Sequence, residues 1–168
     1  MVNDIHGNNE LQKKLLGMAP PQDFDMVLFC GDMCSHINRQ SDIFTSFLNT
    51  SIELFAAQKP FVYARGNHET RGAYARNFSR SNGKFYYAFT YGPVRFIVLD
   101  CGEDKPDTDV EYSGLIDFDS YMLEQKDWLS REIDNPEFKN ASYRVVISHI
   151  PFTKGCGNNY CPYWNKHK

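Results

Sequence analysis

Two short apolar runs, each followed by a glycine and polar residues, constrain the fold of this chain more than any other feature. The run at residues 25–30 ends at Gly31-Asp32, and the run at 61–64 leads to Gly66-Asn67-His68. Continuous apolar runs of this length are typical of parallel strands that are buried on both faces. A helical pattern lies between them at residues 41–58. Strand, helix and strand in this order predict a βαβ unit.

The remaining elements are predicted from apolar periodicity and from runs of β-branched and aromatic residues. They are an N-terminal helix that ends near Gly17, a hairpin of strands 85–90 and 94–99, a helix that Asp119 begins, and a last strand at 143–148. In the N-terminal helix, Leu11, Leu15 and Leu16 fall on one face. We therefore expect a single α/β domain across residues 1–168.

Composition argues against two classes of partner. The net charge of −3 gives no electrostatic footprint for nucleic acid or an anionic membrane surface. No apolar run approaches the roughly 20 residues that a membrane-spanning helix needs. The five cysteines are scattered, and none has zinc-type spacing with partner histidines. The first residues show no signal-peptide pattern, so a secreted or periplasmic location is expected only if a preceding segment carries a signal.

Residues of the types that bind hard and borderline metals lie at the ends of the predicted strands. They are Asp4, His6, Asp32, Asn67, His68 and His149. Because the carboxyl ends of parallel strands share one edge of a sheet, we expect these side chains to converge there. Carboxylates, neutral imidazoles and an amide oxygen suit Mn, Fe, Zn or Mg. Each motif alone has an ordinary explanation, since Gly-Asp and Gly-Asn are also common in turns.

This mixture of ligands fits two cations about 3.5–4 Å apart, with one carboxylate between them. Such a pair lowers the pKa of a shared water, which yields a metal-bound hydroxide as nucleophile, and neutralises the oxygens of a phosphate. A histidine beside the metals can then protonate the leaving oxygen. The residues therefore predict metal-dependent hydrolysis of phosphoesters.

Taken in order, the same residues resemble the motifs of the calcineurin-like metallophosphoesterase family. Those motifs are Asp-x-His, Gly-Asp, Gly-Asn-His-(Asp/Glu), a strand-borne His and Gly-His-x-His. This chain carries the first four as Asp4-Ile5-His6, Gly31-Asp32, Gly66-Asn67-His68-Glu69 and His149. The resemblance implies an α/β fold of the metallo-dependent phosphatase type, a four-layer α/β/β/α sandwich. It also implies a cofactor of two divalent or trivalent metal ions and a phosphoester substrate.

The resemblance further implies a role for each motif residue. Asp4 and His6 would bind the first metal, Asp32 would bridge, and Asn67 and His149 would bind the second. His68 would be the catalytic residue that protonates or stabilises the leaving group. The type of phosphoester stays open among monoesters, diesters, nucleotides and phosphoproteins.

Two departures from the family pattern affect the expected activity. The sequence contains no Gly-His-x-His, and the only later histidine, His167, has neither the Gly nor the pairing. The strand expected before Asp4 is reduced to residues 1–3. We therefore expect a partial domain, without the first strand and the Gly-His-x-His part, that binds metals weakly and turns over poorly. The alternative is a degenerate, non-catalytic binding or scaffold domain.

Three residues are candidates for contact with the substrate. Arg65 and Arg71 lie near the proposed phosphate and can form a bidentate clamp on it, or can take part in surface salt bridges. The acidic loop 103–111 with Tyr112 can shape a substrate pocket or can be a solvated loop. Among subfamilies, purple acid phosphatases are disfavoured, because Ser35 stands where they carry a tyrosine and His6 stands where they lack a histidine.

Overall fold

The first sheet is formed by two parallel strands, as the apolar runs predict. A computed structural model of the chain describes residues 1–78 and 82–152, so Cys156, Cys161 and His167 lie outside the described residues. Strand β1 (Val27–Cys30) pairs with β2 (Phe61–Ala64). On the other side of β1, Val2 forms a parallel bridge with Phe29. This pairing leads the N-terminal residues towards the carboxyl end of β1.

A helical layer covers one face of this sheet. It consists of α1 (Asn9–Leu16) and a continuous helical segment at residues 40–56, in which α2 (Gln40–Ile43) and α3 (Asn49–Ser51) are each followed by a π-helical turn. The buried core between helices and sheet includes Phe29, Phe47, Phe55, Ile5, Ile37 and Met33. Asp42, in the first turn of this segment, stabilises its N-terminal end. Its carboxylate accepts hydrogen bonds from the backbone N–H groups of residues 38 and 39 at 2.8 and 2.9 Å.

The buried face of α1 differs from the one that its leucines indicate. Leu11 and Leu15 are exposed, whereas Gln12 is fully buried. The Gln12 amide donates hydrogen bonds to the Phe47 carbonyl at 3.2 Å and to the Ser51 hydroxyl at 2.8 Å. A polar side chain can therefore occupy this position, because its N–H groups find partners on the neighbouring helix.

The second sheet has three strands in the order β3 (Tyr87–Tyr91), β4 (Val94–Val98) and β5 (Tyr143–Ile147). Strands β3 and β4 form the predicted antiparallel hairpin, and β5 runs parallel to β4. The connection from β4 to β5 includes α4 (Phe118–Glu132) and the short α5 (Pro136–Asn140). Helix α4 begins one residue before Asp119, and the cap is Asp117, which accepts from the Ser120 N–H at 3.1 Å.

The two sheets pack against each other, and α4 covers the outer face of the second one. Apolar side chains from both sheets share one buried cluster: Cys30, Val62, Ala64, Phe96, Val98 and Ile147. On the outer face, Arg95 of β4 pairs with Glu132 of α4. These contacts give the four-layer α/β/β/α order. Among the described residues, no helix combines the length and the apolar character needed to cross a bilayer.

Candidate metal centre

The loop after Val2 lies directly against the loop after β1. The backbone N–H of Asp4 donates to the Gly31 carbonyl at 3.1 Å, and that of His6 donates to the Asp32 carbonyl at 2.9 Å. Asp4, His6 and Asp32 all have left-handed backbone conformations, with φ of 55°, 51° and 55°. Such values are uncommon outside glycine and concentrate at functional sites. The strain is therefore located at three of the predicted metal ligands.

Two glycines allow the elements of this site to approach one another. A Cβ at Gly31, where φ is +84°, would lie 2.5 Å from Cγ of His149. A Cβ at Gly66 would overlap the carboxylate and the backbone nitrogen of Asp32. Both glycines therefore have a steric role at contacts between predicted ligands, which is more specific than the sharp turn that the sequence indicates.

Asp32 lies at the centre of the site and is buried. Its Oδ2 atom is 3.3 Å from Nε2 of His149, 3.7 Å from Nε2 of His6 and 3.9 Å from Nε2 of His68. Its Oδ1 atom accepts a hydrogen bond from the His68 backbone N–H at 3.1 Å. Burial opposes ionisation, but the hydrogen bonds from His149 and His68 and their charges lower the pKa of Asp32. The lowered pKa favours the ionised carboxylate, which is the form that can bind a cation.

His149 reaches Asp32 from the second sheet, so the predicted ligands do not all end one sheet. It follows β5, and its Nδ1 donates to the Cys30 carbonyl at 2.7 Å. A carbonyl can only accept, so Nδ1 carries a proton and Nε2 is the nitrogen that faces Asp32. Burial alone would lower the pKa of His149, but the hydrogen bond and charge of Asp32 raise it to about 9. A cation that binds at Nε2 would displace the proton on Nε2 and leave the one on Nδ1 in place.

The carboxylates and imidazoles fall into two overlapping groups that suit two cations. One group is His6, Asp32 and His68, and the other is Asp4, Asp32 and His149. Within each group the ligand atoms all lie within 4.8 Å of one another. Asp32 belongs to both groups, as expected for a carboxylate placed between two metals. The donor types and their spacing fit the Mn, Fe, Zn or Mg ions that the sequence predicts.

Asn67 is buried beside this cluster, between two residues that contact Asp32. Gly66 packs against the Asp32 side chain, and His68 donates its N–H to it. The Asn67 carbonyl accepts from the Thr70 N–H at 3.3 Å and from its hydroxyl at 2.7 Å, which closes the turn His68–Thr70. His68 contacts the ring of His6 edge to face, with centroids 4.6 Å apart.

Glu69 holds the two strand-end loops together, a role that the sequence does not reveal. Its fully buried carboxylate accepts backbone hydrogen bonds from Asp32 and Cys34 at 2.8 Å each and from Gly66 at 2.9 Å. Only its place in the Gly-Asn-His-Glu motif singled it out. Two of the three partners are backbone groups 35 and 37 residues away, so no local pattern indicates them.

The predicted substrate contact at Arg65 is not supported. Its guanidinium is buried and bonds in a bidentate manner to the fully buried Asp100, and it stacks 3.6 Å from the ring centroid of Phe85. A guanidinium paired and covered in this way is not presented to a ligand. The alternative of a surface salt bridge is also wrong, because the pair lies inside the molecule.

Arg71 and Tyr112 meet on one carboxylate, Glu103. Arg71 donates to it at 3.3 and 2.9 Å, and the Tyr112 hydroxyl donates to it at 3.1 Å. Arg71 is also 3.6 Å from the more exposed Asp104. Glu103 is only 3% exposed, so the loop that begins there is anchored to the site at its first residue rather than solvated throughout.

Comparison with known proteins agrees with the motifs. The model of the calcineurin-like phosphoesterase family matches residues 1–166. No curated protein is significantly similar to the chain in sequence. Among solved structures, the chain is similar to a purple acid phosphatase from yellow lupin (Lupinus luteus) seeds, with 16% identity and a TM-score of 0.43. That match covers 84% of this chain and 25% of the lupin chain, and it is too slight to assign a subfamily.

The chain belongs to the calcineurin-like phosphoesterase family. Membership associates it with metal-dependent hydrolysis of phosphoesters, and the family typically uses a dinuclear metal centre. The fold and the clustered carboxylates and imidazoles agree with that membership.

Proposed function

We propose that this domain hydrolyses a phosphoester at a dinuclear metal centre built around Asp32. The observation that supports it most is that two groups of ligand atoms share the Asp32 carboxylate. When bound, two cations lower the pKa of a water and neutralise phosphate oxygens. The protein's part is to hold carboxylates and imidazoles in place around the buried Asp32.

In this proposal, Asp4 and His6 would bind one cation and Asn67 and His149 the other, with Asp32 shared. Asp4 is grouped with His149, but its Oδ1 also lies 4.0 Å from Nε2 of His6, and this contact supports the proposed pairing. The hydrogen bond from His149 Nδ1 to the Cys30 carbonyl keeps Nε2 as the binding atom. The short loop from Asp4 to His6 is fixed against the Asp32 loop by backbone hydrogen bonds. The proposed ligands Asp4, His6 and Asp32 thus lie on two loops whose backbones are hydrogen-bonded to each other.

His68 is the proposed proton donor to the leaving oxygen. Its side chain is about one-third exposed, so a ligand can reach it. Its backbone is fixed by the N–H bond to Asp32. Its Nε2 also lies within reach of the His6–Asp32 group, so the competing role is that of a third ligand to that cation. His68→Ala would remove the proton donor if the first role is right, and a metal ligand if the second is right.

The proposal is tested by turnover of a chromogenic phosphomonoester and a phosphodiester with Mn²⁺, together with Mn²⁺ titration. We expect Asn67→Ala to abolish turnover and to lower Mn²⁺ stoichiometry. His68→Ala is expected to retain both metals and to lose on the order of 10²–10⁴ in rate, the usual contribution of a proton donor. The exposed His36→Ala is the control and should match the wild type. An unchanged rate in Asn67→Ala would rule out the assigned centre.

A second candidate is a phosphoester-binding domain that does not catalyse. A binding domain would retain inorganic phosphate in the presence of Mn²⁺ but release no product from either substrate. Turnover that depends on Asn67 excludes it.

A further inference from the structure

The residues that bear the metal ligands are tied to a second polar cluster that contains no predicted ligand. This cluster consists of Thr70, Arg71, Glu103, Asp104 and Tyr112. It joins the turn after Asn67 to the loop that follows β4, and so links the two sheets at the edge of the site. Glu103 is its centre, because every other member except Asp104 bonds to it.

Glu103 is held from three directions. Arg71 donates two N–H groups to its two carboxylate oxygens, and Tyr112 donates its hydroxyl to Oε2. The Thr70 hydroxyl contacts Oε1. A carboxylate that is 3% exposed and bonded at both oxygens is held in one position. Removing it leaves the partly exposed Arg71 guanidinium and the Tyr112 hydroxyl with Asp104, and the Thr70 hydroxyl with the Asn67 carbonyl.

The contact with Thr70 leads directly to the metal site. The same Thr70 hydroxyl donates to the Asn67 carbonyl at 2.7 Å, and the Arg71 N–H donates to the His68 carbonyl at 3.2 Å. Glu103 therefore acts on the backbone of Asn67 and His68 through their two successors. Glu69 fixes the same turn by other contacts, which are to the loops that follow β1 and β2.

We propose that Glu103 is a positioning residue, which fixes the Asn67-His68 turn in the geometry that the metal centre needs. The roles of Asn67 and His68 in this proposal rest on the proposed function. The anchoring of their turn by Glu103 is independent of that function, because it is a property of the metal-free chain. Residues that hydrogen-bond to metal ligands do not touch the metal themselves. Their removal nevertheless commonly lowers metal affinity by about 10–100-fold.

The chain offers a matched control for a buried glutamate. Glu132 is also buried and accepts two N–H groups from one arginine, Arg95, but it lies on α4 at the outer face of the second sheet. Glu103→Ala and Glu132→Ala thus remove the same kind of ion pair. A role in overall stability alone would leave the Mn²⁺ affinity alike in the two variants.

The first measurement is amide hydrogen exchange in the metal-free chain. We expect Glu103→Ala to speed exchange at Thr70 and Arg71 by about tenfold or more relative to Glu132→Ala, because their N–H bonds close the turn. Thr70→Val, which keeps the side-chain shape but removes the hydroxyl, should show the same local effect. It keeps the test valid if Glu103→Ala does not fold. Equal exchange in the Thr70 and Glu132 variants would overturn the anchoring.

The second measurement is Mn²⁺ binding by calorimetry. We expect Glu103→Ala and Thr70→Val to raise the Kd of the cation held by Asn67 by about 10-fold or more, with Glu132→Ala unchanged. Unchanged affinity in both variants would overturn the positioning role. If the wild type binds no Mn²⁺, the proposed function fails, and the exchange result still decides whether Glu103 anchors the turn.

Discussion

At the scale of single residues, the candidate site depends on how closely the histidine-bearing segments approach Asp32. Asp32 receives contacts from histidines on three separate segments, and this is possible only where glycines leave room. Gly66 is the clearest case, because any Cβ there meets the Asp32 carboxylate. The carboxylate would have to move away from the imidazoles that surround it.

Gly66→Ala is therefore expected to affect both stability and metal binding. Overpacking at a fixed contact costs about 1–3 kcal/mol, which urea unfolding would measure, and displaced Asp32 should weaken Mn²⁺ binding. Gly92→Ala is the control. Gly92 has φ of +56° and no atom within 4 Å of an added Cβ, so backbone strain alone acts there. Gly92→Ala should lower the free energy of unfolding by about 1–2 kcal/mol and leave the Mn²⁺ affinity unchanged. Equal Mn²⁺ affinity in both variants would contradict the steric argument.

The motif residues could be found from the sequence, but the residues that hold them could not. Asp4, His6, Asp32 and His149 are short-range signals, since each stands beside a strand end or a glycine. Glu69, Asp100 and Glu103 act on partners more than 30 residues away. The interpretation of Arg65 as a substrate clamp failed for the same reason, because nothing near it in sequence indicates its pairing with Asp100.

At the scale of elements, the strands were easier to predict than the helix faces. Strands β1, β2 and β5 and the hairpin follow from continuous apolar or β-branched runs. Helix α1 was predicted in the right place, and Leu16 packs against the core, but Leu11 and Leu15 do not mark the buried side. Gln12 is buried because the neighbouring helical segment offers its amide two acceptors, the Phe47 carbonyl and the Ser51 hydroxyl. The apolar periodicity of α1 contains no information about hydrogen-bond acceptors on a neighbouring helix.

This arrangement predicts an unusual order of substitution effects in α1. Gln12→Ala removes a buried side chain and two hydrogen bonds, so it should lower the free energy of unfolding by about 1–3 kcal/mol. Leu11→Ala removes a side chain that is 38% exposed and should change it by less than about 0.5–1 kcal/mol. Urea unfolding followed by circular dichroism gives both values. A larger effect at Leu11 would mean that the leucine face is the buried one.

At the scale of the whole molecule, the site lies where the two sheets meet. Asp32 and Asn67 follow strands of the first sheet, and His149 follows β5 of the second. The expectation that all ligands share one sheet edge was wrong, because parallel runs in a sequence do not say which sheet they join. The family resemblance implied the two sheets, and the contact of His149 with Asp32 shows how they contribute to one cluster.

Because the proposed ligands come from both sheets, metal binding should stabilise the fold as a unit. Mn²⁺ at about 100 times its Kd adds about 2.7 kcal/mol if it binds only the folded chain. For a chain of this size that corresponds to a rise in Tm of roughly 5–11 °C, reversed by EDTA. His149→Ala removes the only ligand from the second sheet among the proposed set and should lose most of that rise. His36→Ala, at an exposed histidine outside both ligand groups, should keep it. A full rise in His149→Ala would show that the metals are held by the first sheet alone.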